Sequence, residues 1–209
     1  QRSMTRQTDL NWTDAVKLPA ECEGRTVTLK ATATFKNGET ARAESFFTYT
    51  STPVEVKTGD NWTNLGGNPQ HVAVTKDTLN LPIRLAWVKN MGSNVYMTSP
   101  IMVDGKVFAA TMDENIQGKS SVTAMDATDG SLCWKYSTRS SVKNTIVSAQ
   151  GLIFAQDIWG YLYAIDAKSG KLAWEKKLDV AVVPGLEDGL AANETTVFAG
   201  AGKGLVALD

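Results

Sequence analysis

Polar and apolar residues alternate along two neighbouring stretches near the N-terminus. Residues 26–35 alternate threonine or lysine with apolar side chains, and residues 41–49 continue the alternation. A period of two is typical of a β-strand with one buried face and one wet face. Asn37 and Gly38 lie between the two stretches and form a dipeptide that suits a tight hairpin turn. The pattern predicts a β-hairpin, and about 50 residues with such strands suffice for part of a β-sandwich.

From residue 61 onward an internal repeat replaces this simple alternation. Residues 124–134 align with residues 164–174 at a spacing of 40, and a third copy begins at residue 207. Each complete copy has Asp two, Gly six and Trp ten positions after its first Ala. The repeated positions are Ala124, Asp126, Gly130 and Trp134; Ala164, Asp166, Gly170 and Trp174; and Ala207 and Asp209.

A short apolar stretch precedes each copy, at residues 107–109, 153–155 and 197–199. Repeats of 40 to 45 residues with several strands each are typical of propeller blades. A single blade leaves an apolar sheet face that a neighbouring blade buries, so blades occur side by side. The sequence therefore predicts an all-β chain in which residues 61–209 form about two to three blades of a partial β-propeller.

Each position of the repeat has a physical reading. The Asp ends a strand, and its carboxylate can accept backbone N–H bonds in the turn that follows. Gly130 and Gly170 allow the left-handed backbone conformation that a tight reversal needs. The returning strand then delivers Trp134 or Trp174, whose large ring can fill the wedge between adjacent sheets.

The Ala-x-Asp-x-x-x-Gly-x-x-x-Trp pattern resembles the tryptophan-docking motif of pyrroloquinoline-quinone-like (PQQ-like) propellers. Residues 62–71 resemble the segment with which such propellers often begin, and residues 85–87 and 99–108 resemble the half-blade that follows. The resemblance covers residues 60 to 209 and implies the first blades of such a propeller. We interpret the alternating strands that precede it as a partial Ig-like β-sandwich over residues 1–52, followed by a linker over residues 53–60.

Chain length sets an expectation about completeness. A ring of seven or eight blades needs about 280 to 320 residues, whereas the chain has 209 residues in all. We therefore expect a fragment of a larger protein. Alternatively, open blade edges could pair between copies, because an unpaired edge strand invites strand addition.

Composition excludes several function classes. The net charge of −1 gives no basic excess for nucleic-acid binding, and no apolar run is long enough to predict a transmembrane segment. His71 is the single histidine, so a two-histidine zinc site or a di-metal hydrolase site would need almost entirely other ligands. We expect no catalytic residue, cofactor or metal in this chain, and we interpret His71 as a hydrogen-bonding residue of its segment rather than a ligand.

The two cysteines, Cys22 and Cys133, lie far apart in sequence. They could form a disulfide, but two buried free thiols are the favoured reading. Members of the PQQ-like family that are quinoprotein dehydrogenases hold the quinone beside a disulfide of adjacent cysteines, with calcium and a catalytic Asp nearby. This chain has no adjacent cysteines, so the resemblance does not carry quinone binding to it.

Two loops are candidate binding sites. Asp113, Glu114 and Asn115 fall in an insertion of six or seven residues relative to the other repeats, and rim loops are where propellers tend to bind. Trp159 and Tyr161 flank a predicted turn, where an exposed aromatic side chain could contact a peptide or a sugar. The favoured readings are nevertheless a solvated loop for the first site and packing against a neighbouring loop for the second.

The glycine-rich stretch 200–204 could suggest a phosphate-binding loop. It lacks the Lys-Ser/Thr ending and the following helix of such loops. It also aligns with residues 156–160, which lie between two predicted strands. A tight turn between two blade strands is therefore the favoured reading.

The resemblance implies a non-catalytic binding or scaffolding module of an exported bacterial multidomain protein, in the periplasm or at the cell surface. Its partner would be a protein or a carbohydrate that binds the propeller loops. One alternative is the accessory propeller of a secreted calcineurin-like phosphoesterase whose catalytic domain lies outside this sequence. A second alternative is part of a quinoprotein dehydrogenase.

Overall fold

The computed structural model shows that the regular secondary structure of the described residues is antiparallel β-strand, apart from one turn of 3-10 helix. The structure describes residues 5–6, 12–13, 17–22, 25–48, 56–79, 81, 83, 85–95, 98–113, 119–178, 190–201 and 204–209, without the side chains of residues 5, 6, 12, 13, 26 and 45–48. Contacts divide the chain into two units, residues 1–55 with 79–88 and residues 56–78 with 89–209. The all-β fold class is confirmed.

In its described residues, the first unit contains two antiparallel strand pairs and one turn of 3-10 helix. Strand β1 pairs with β2, and strand β3 pairs with β4 over nine residue pairs. The bounds are β1 Thr5–Arg6, β2 Trp12–Thr13, the 3-10 helix Ala20–Cys22, β3 Thr26–Thr34 and β4 Thr40–Thr48. The predicted hairpin is confirmed, and the Ig-like sandwich stays a prediction.

The hairpin differs from the sequence prediction in its burial. Residues 28–44 are all exposed, including Leu29 at 45% and Phe35 at 54%. The prediction of one buried face is therefore wrong for these side chains. An alternating strand buries a face only where a second layer packs on it, and no such layer covers these residues in the part of the chain that the structure describes.

The hairpin turn also differs from the tightest possible form. A two-residue turn of the favoured type needs a positive φ at both central residues, but of Asn37 and Gly38 only Gly38 has one, at 86°. The N–H of Phe35 donates to the carbonyl of Glu39 at 2.8 Å, and the Asn37 side-chain oxygen accepts from the Glu39 N–H at 3.1 Å. The reversal therefore spans residues 35–39, with the glycine in the left-handed conformation.

The described part of the second unit contains three antiparallel sheets that follow the sequence repeat. Two sheets have four strands in chain order, and the third has three among the described residues. The first consists of β5 Ile101–Val103, β6 Lys106–Ala110, β7 Ser121–Asp126 and β8 Leu132–Ser137; the second of β9 Val147–Ala149, β10 Leu152–Gln156, β11 Tyr161–Asp166 and β12 Leu172–Lys177; the third of β13 Leu190–Ala192, β14 Val197–Ala201 and β15 Gly204–Leu208.

The first two sheets share the same strand register. Ala124 lies opposite Trp134 and Ala164 lies opposite Trp174, and in both sheets the register shifts at the next residue. The two copies of the repeat therefore share the position of this register shift as well as the positions of their strands. In the third sheet β14 and β15 pair as a hairpin, which confirms the turn predicted near residues 200–204, although residues 202 and 203 lie outside the described part.

The turn after each repeated Asp has the predicted geometry. An oxygen of Asp126 accepts from the backbone N–H of Thr128 at 2.8 Å, and an oxygen of Asp166 accepts from that of Ser169 at 2.7 Å. These bonds lower the pKa of both carboxyl groups, with the side-chain hydroxyl of Thr128 or Ser169 as the largest cause. Gly130 and Gly170 have φ values of 70° and 72°, in the left-handed region that glycine adopts without strain.

Two apolar cores join the three sheets. One lies between the first and second sheets and includes Phe108, Trp134 and Ile153; the other lies between the second and third and includes Phe154 and Leu162. The middle sheet is thus covered on both faces, as expected for successive blades.

The segment before the first sheet ties two of the sheets together. Trp62 forms an antiparallel bridge with Met102 of β5, and the Thr63 carbonyl accepts from the Ser148 N–H of β9 at 2.8 Å. Trp62 also packs on Gly67, where a Cβ would lie 2.9 Å from its ring. This segment therefore contacts β5 and β9, the first strands of two successive sheets.

Both cysteines are free in the structure. The prediction that they are buried is wrong, because Cys22 is half-buried and Cys133 is exposed. Cys133 lies on β8, the outermost strand of its sheet, with its side chain on the face opposite the buried Trp134. Alternation along a strand explains this exposure.

Candidate functional site

Three loops meet at one end of the first two sheets. They connect β6 to β7, β8 to β9 and β10 to β11. Ser141 of the middle connection accepts from the Asp113 N–H through its hydroxyl at 2.8 Å and from the Ile158 N–H through its carbonyl at 2.9 Å. Val142 forms a bridge with Asp157 beside it. The two predicted binding loops are therefore held by the same connection.

A buried carboxylate shapes the turn between β10 and β11. Asp157 is 1% exposed, and one of its oxygens accepts from the backbone N–H groups of Trp159 and Tyr161, both at 3.0 Å. Gly160, with a φ of 80°, donates its N–H to the Asp157 carbonyl. The turn is thus fixed by three hydrogen bonds to one residue, and a carboxylate that accepts several N–H bonds makes strong ones.

Tyr163 completes this network from the middle of β11. Its ring is fully buried, and its hydroxyl donates to the second oxygen of Asp157 at 2.7 Å. The same hydroxyl accepts from the Arg139 N–H at 3.0 Å. Burial, and next the hydrogen bond to Asp157, raise the pKa of Tyr163 far above its usual range. The phenol is therefore protonated at neutral pH and connects the turn to the neighbouring connection.

The exposed part of this end combines aromatic and charged side chains. Trp159 is 56% exposed at the tip of the turn. Next to it, the ring centre of Tyr161 lies 4.7 Å from the Arg139 guanidinium carbon and 5.0 Å from the Lys177 ammonium nitrogen. Glu175 pairs with Arg139, and this hydrogen bond raises the pKa of the guanidinium. We call Arg139, Trp159, Tyr161, Glu175 and Lys177 the rim surface.

The structure places the predicted binding residues unequally. Trp159 and Tyr161 both lie on the rim surface. Asp113 is half-buried in the adjacent loop, where one of its carboxylate oxygens accepts from the Lys119 N–H at 2.9 Å. Glu114 and Asn115 lie outside the described residues. The favoured reading of Trp159, packing against a neighbouring loop, does not match its exposure of 56%.

Sequence reasoning missed the charged members of the rim surface and the buried network beneath it. Glu175 and Lys177 lie two residues apart on β12, so their side chains lie on the same face of the sheet. Their direct partners on β11 are Tyr163 and Tyr161, respectively. This pairing could have been found from the repeat register, because β12 follows the Gly170 turn directly. The position of Arg139 could not have been found in this way, because it depends on the path of the connection after β8.

Other candidate sites are less complete. His71 is exposed, and its backbone N–H donates to the Asn68 carbonyl. No three His, Cys, Asp or Glu side chains come together to hold a metal among the residues that the structure describes. A cleft of about 120 Å³ lies at the other end of the second and third sheets, and its lining includes the apolar Phe154 and Trp174 and the polar Gln150, Asn193 and Asp209.

The part of the chain that the structure describes contains no helix with the length and hydrophobicity needed to span a bilayer. This finding concerns helices in the described ranges alone.

A comparison with known families matches residues 84–209, more than half of the chain, to the family described as outer membrane protein assembly factor BamB. Among curated proteins, the chain is similar to an alcohol dehydrogenase (quinone), dehydrogenase subunit, of Gluconacetobacter polyoxogenes. The two are 29% identical over 104 residues, which cover 44% of this chain and 13% of that protein. The chain thus matches a small part of this relative.

Two solved structures are similar to this chain, one of them with a TM-score above 0.5. A europium-containing methanol dehydrogenase superposes with a TM-score of 0.54 at 18% identity, over 72% of this chain and 30% of that one. BamB from Moraxella catarrhalis gives a TM-score of 0.49 at 24% identity, over 60% of this chain and 37% of that one. The likeness to the methanol dehydrogenase, at 18% identity, bears on the fold and not on the activity.

Proposed function

We propose that this chain, which belongs to the PQQ_2 family of outer membrane protein assembly factor BamB, is a non-catalytic binding module of an exported bacterial protein. Its location would be the periplasm or the cell surface, an inference supported by the outer-membrane role in the family description. The rim surface is the observation that carries the proposal. It presents an exposed tryptophan on a turn that a buried carboxylate holds in place.

The composition of the rim surface suits a protein partner. Tryptophan, tyrosine and arginine are the residues most enriched among those that dominate protein–protein binding energy. The 56% exposure of Trp159 leaves apolar area for a partner to cover, and Arg139 and Glu175 offer polar contacts beside it. A carbohydrate that stacks on Trp159 is the alternative partner.

Rigidity is the second argument for this surface. A loop that is already ordered loses little conformational entropy when a partner binds. The turn at Trp159 is fixed by Asp157, and Asp157 by the buried Tyr163 hydroxyl. The sheets therefore act as a scaffold whose function is to hold the rim surface in one conformation.

Photo-crosslinking in cells tests this proposal. Trp159 is replaced by p-benzoylphenylalanine in the full-length protein, expressed in its own bacterium, and irradiated. We expect a discrete protein adduct, because a benzophenone reacts with groups within a few ångströms. An adduct with polysaccharide instead would favour the carbohydrate partner.

Leu172 provides the matched control. It is an exposed apolar residue at 38%, on the same sheet but at the end opposite to the rim surface. The same photoreactive residue at position 172 should give no adduct of that mass. Equal adducts from positions 159 and 172, or none from position 159, would contradict the proposed binding site.

A quinoprotein dehydrogenase is the second candidate, favoured by the 29% identity to a quinone alcohol dehydrogenase subunit. The chain does not supply the adjacent cysteines that the family resemblance associates with the quinone, since Cys22 and Cys133 lie far apart in sequence and are free. Incubation with PQQ and calcium, desalting and a quinone absorbance spectrum separate the two functions. We expect no retained absorbance, and stoichiometric retention would support the dehydrogenase.

A further inference from the structure

The side chains that the rim surface presents carry more positive than negative charge. Arg139 and Lys177 are cations, and Glu175 is the single anion among the five residues of this surface. Asp157 lies beneath them at 1% exposure, and both of its oxygens accept hydrogen bonds within the chain, so it presents no carboxylate to a partner. The chain as a whole has a net charge of −1, so the positive surplus is a property of this surface.

Lys177 is the cation of the rim surface that lacks a carboxylate partner. Glu175 forms its ion pair with Arg139, and the described part of the chain places no other carboxylate within ion-pair distance of Lys177. The exposed Lys177 ammonium nitrogen instead lies 5.0 Å from the centre of the Tyr161 ring. Its charge is therefore available to a group outside the described chain.

Lys177 is also held beside the exposed tryptophan. Its ammonium group donates to the backbone carbonyl of Trp159. An ammonium group has three N–H donors, so this bond leaves others for an incoming acceptor. The contact orders a long side chain before any partner binds, which lowers the entropic cost of a new ion pair. An oriented cation and an indole that is 56% exposed thus lie side by side.

We propose that the partner of the rim surface is an acidic protein segment, in which a carboxylate pairs with Lys177 and a neighbouring apolar side chain covers Trp159. This inference rests on the proposed binding function and adds the chemistry of the partner. Opposite charges that meet across an interface favour the correct partner, whereas like charges oppose a wrong one.

A second cation close to Lys177 favours a segment with more than one acidic residue. The Arg139 guanidinium carbon lies 4.7 Å from the centre of the same Tyr161 ring, so the two cationic groups are no more than about 10 Å apart. The Arg139 side chain remains 52% exposed despite its pairing with Glu175, and a guanidinium group has five N–H donors. Two carboxylates of one partner segment can therefore contact both cations.

A neutral carbohydrate would leave this arrangement unused. A sugar ring can stack on Trp159, but it has no charge to pair with Lys177. Covering an ammonium group without a counter-charge costs free energy. The position of Lys177 beside the indole therefore favours a partner that carries carboxylates.

Charge variants of Lys177, combined with the photoreactive residue at position 159, test this inference in the full-length protein in its own bacterium. Lys177→Gln keeps an N–H donor for the Trp159 carbonyl but removes the charge, and we expect the yield of the protein adduct to fall by about two- to fivefold. Lys177→Glu should lower the yield further, because it opposes like charges. Lys177→Arg keeps the charge and should retain more adduct than Lys177→Gln.

Lys176→Glu is the matched control. Lys176 is exposed on the same strand, next to Lys177, and its side chain lies on the other face of the sheet. The substitution changes the net charge by as much as Lys177→Glu does, and it should leave the adduct yield unchanged. Equal losses from the two substitutions would overturn a specific role of Lys177.

Mass spectrometry of the crosslinked peptide completes the test. We expect aspartate or glutamate close in sequence to the crosslinked residue of the partner. A partner peptide without acidic residues, an unchanged yield with Lys177→Gln, or an adduct with polysaccharide would overturn the acidic segment and leave a binding site at the rim surface. No adduct from position 159 in any variant would instead contradict the proposed function, and this inference with it.

Discussion

The indole N–H of Trp134 donates to the backbone carbonyl of Ala167 at 3.0 Å, across the interface between the first two sheets. The ring lies against Gly170 of the same turn and is 8% exposed. One side chain thus ties the outermost strand of one sheet to the turn of the next. The repeated Asp, Gly and Trp positions are parts of this one contact.

Replacing Trp134 with Phe should therefore destabilise the second unit. The change removes the hydrogen bond to Ala167 and part of a buried ring, and we expect a loss of about 2–3 kcal/mol in the free energy of unfolding. Urea unfolding followed by circular dichroism measures the loss. Trp159→Phe, at an exposed position, is the control and should cost less than about 0.5 kcal/mol. Equal costs for the two variants would argue against the contact.

Gly151 and Gly170 have nearly the same backbone conformation but different surroundings. Alanine substitutions at the two positions therefore distinguish the cost of backbone strain from the cost of a steric clash. Gly151 has a φ of 74° and open space around its Cα, whereas Gly170 has a φ of 72° and a Cβ there would lie 2.6 Å from the Trp134 ring. Gly151→Ala should cost about 1–2 kcal/mol from backbone strain alone. Gly170→Ala should cost about 1–3 kcal/mol more, as unfolding midpoints would show. A smaller cost at Gly170 would contradict the close packing.

Tyr163→Phe tests the network beneath the rim surface. The variant leaves the Asp157 carboxylate and the Arg139 N–H without the hydroxyl, and an unsatisfied buried group costs about 1–3 kcal/mol. Tyr161→Phe keeps the ring that faces the two cations and should change stability far less. We also expect Tyr163→Phe, combined with the photoreactive residue at position 159, to lower the adduct yield. An unchanged yield would show that the turn does not need this network.

Acid should weaken the repeat turns. The pKa values of Asp126 and Asp166 are lowered in the folded chain by the hydroxyl and N–H groups of Thr128 and Ser169. A carboxyl group with a lower pKa in the folded state stabilises the fold above its unfolded pKa. This stabilisation is lost as the pH falls below about 4, where the carboxyl group of the unfolded chain becomes protonated, and then through the lower pKa of the folded chain.

The double variant Asp126→Asn with Asp166→Asn isolates this effect. Asparagine keeps an acceptor oxygen for the turn but has no carboxyl group that titrates. Between about pH 6 and pH 3, the unfolding midpoint of the variant should fall less than that of the unmodified chain. Parallel declines would assign the acid sensitivity to other carboxyl groups.

The sequence predicted the sheets of the second unit because their strands and turns obey local rules. The spacing from Asp126 to Trp134 specifies a strand end, a left-handed glycine and a returning strand, and the structure has all three. The same reasoning failed for burial at Leu29 and Phe35. Alternation predicts which side chains share a face, but burial depends on a layer supplied by distant residues.

Part of the rim surface was predictable because it, too, follows a local pattern in the sequence. Trp159 and Tyr161 were found because a large aromatic residue in a hairpin turn is conspicuous. Asp157 and Tyr163 were not, since their buried hydrogen bond depends on strand register and on the Arg139 backbone from another connection. A contact between groups far apart in sequence leaves no local pattern.

Hydrogen exchange of the full-length protein, alone and with the partner crosslinked at position 159, tests the proposed binding surface most directly. We predict slower exchange in residues 138–146 and 157–161, where the loops of the rim end meet, and unchanged exchange in the Asp turns at residues 126–131 and 166–171. Protection confined to the Asp turns, or no protection at the rim end, would contradict the proposal that this protein binds its partner through the rim surface.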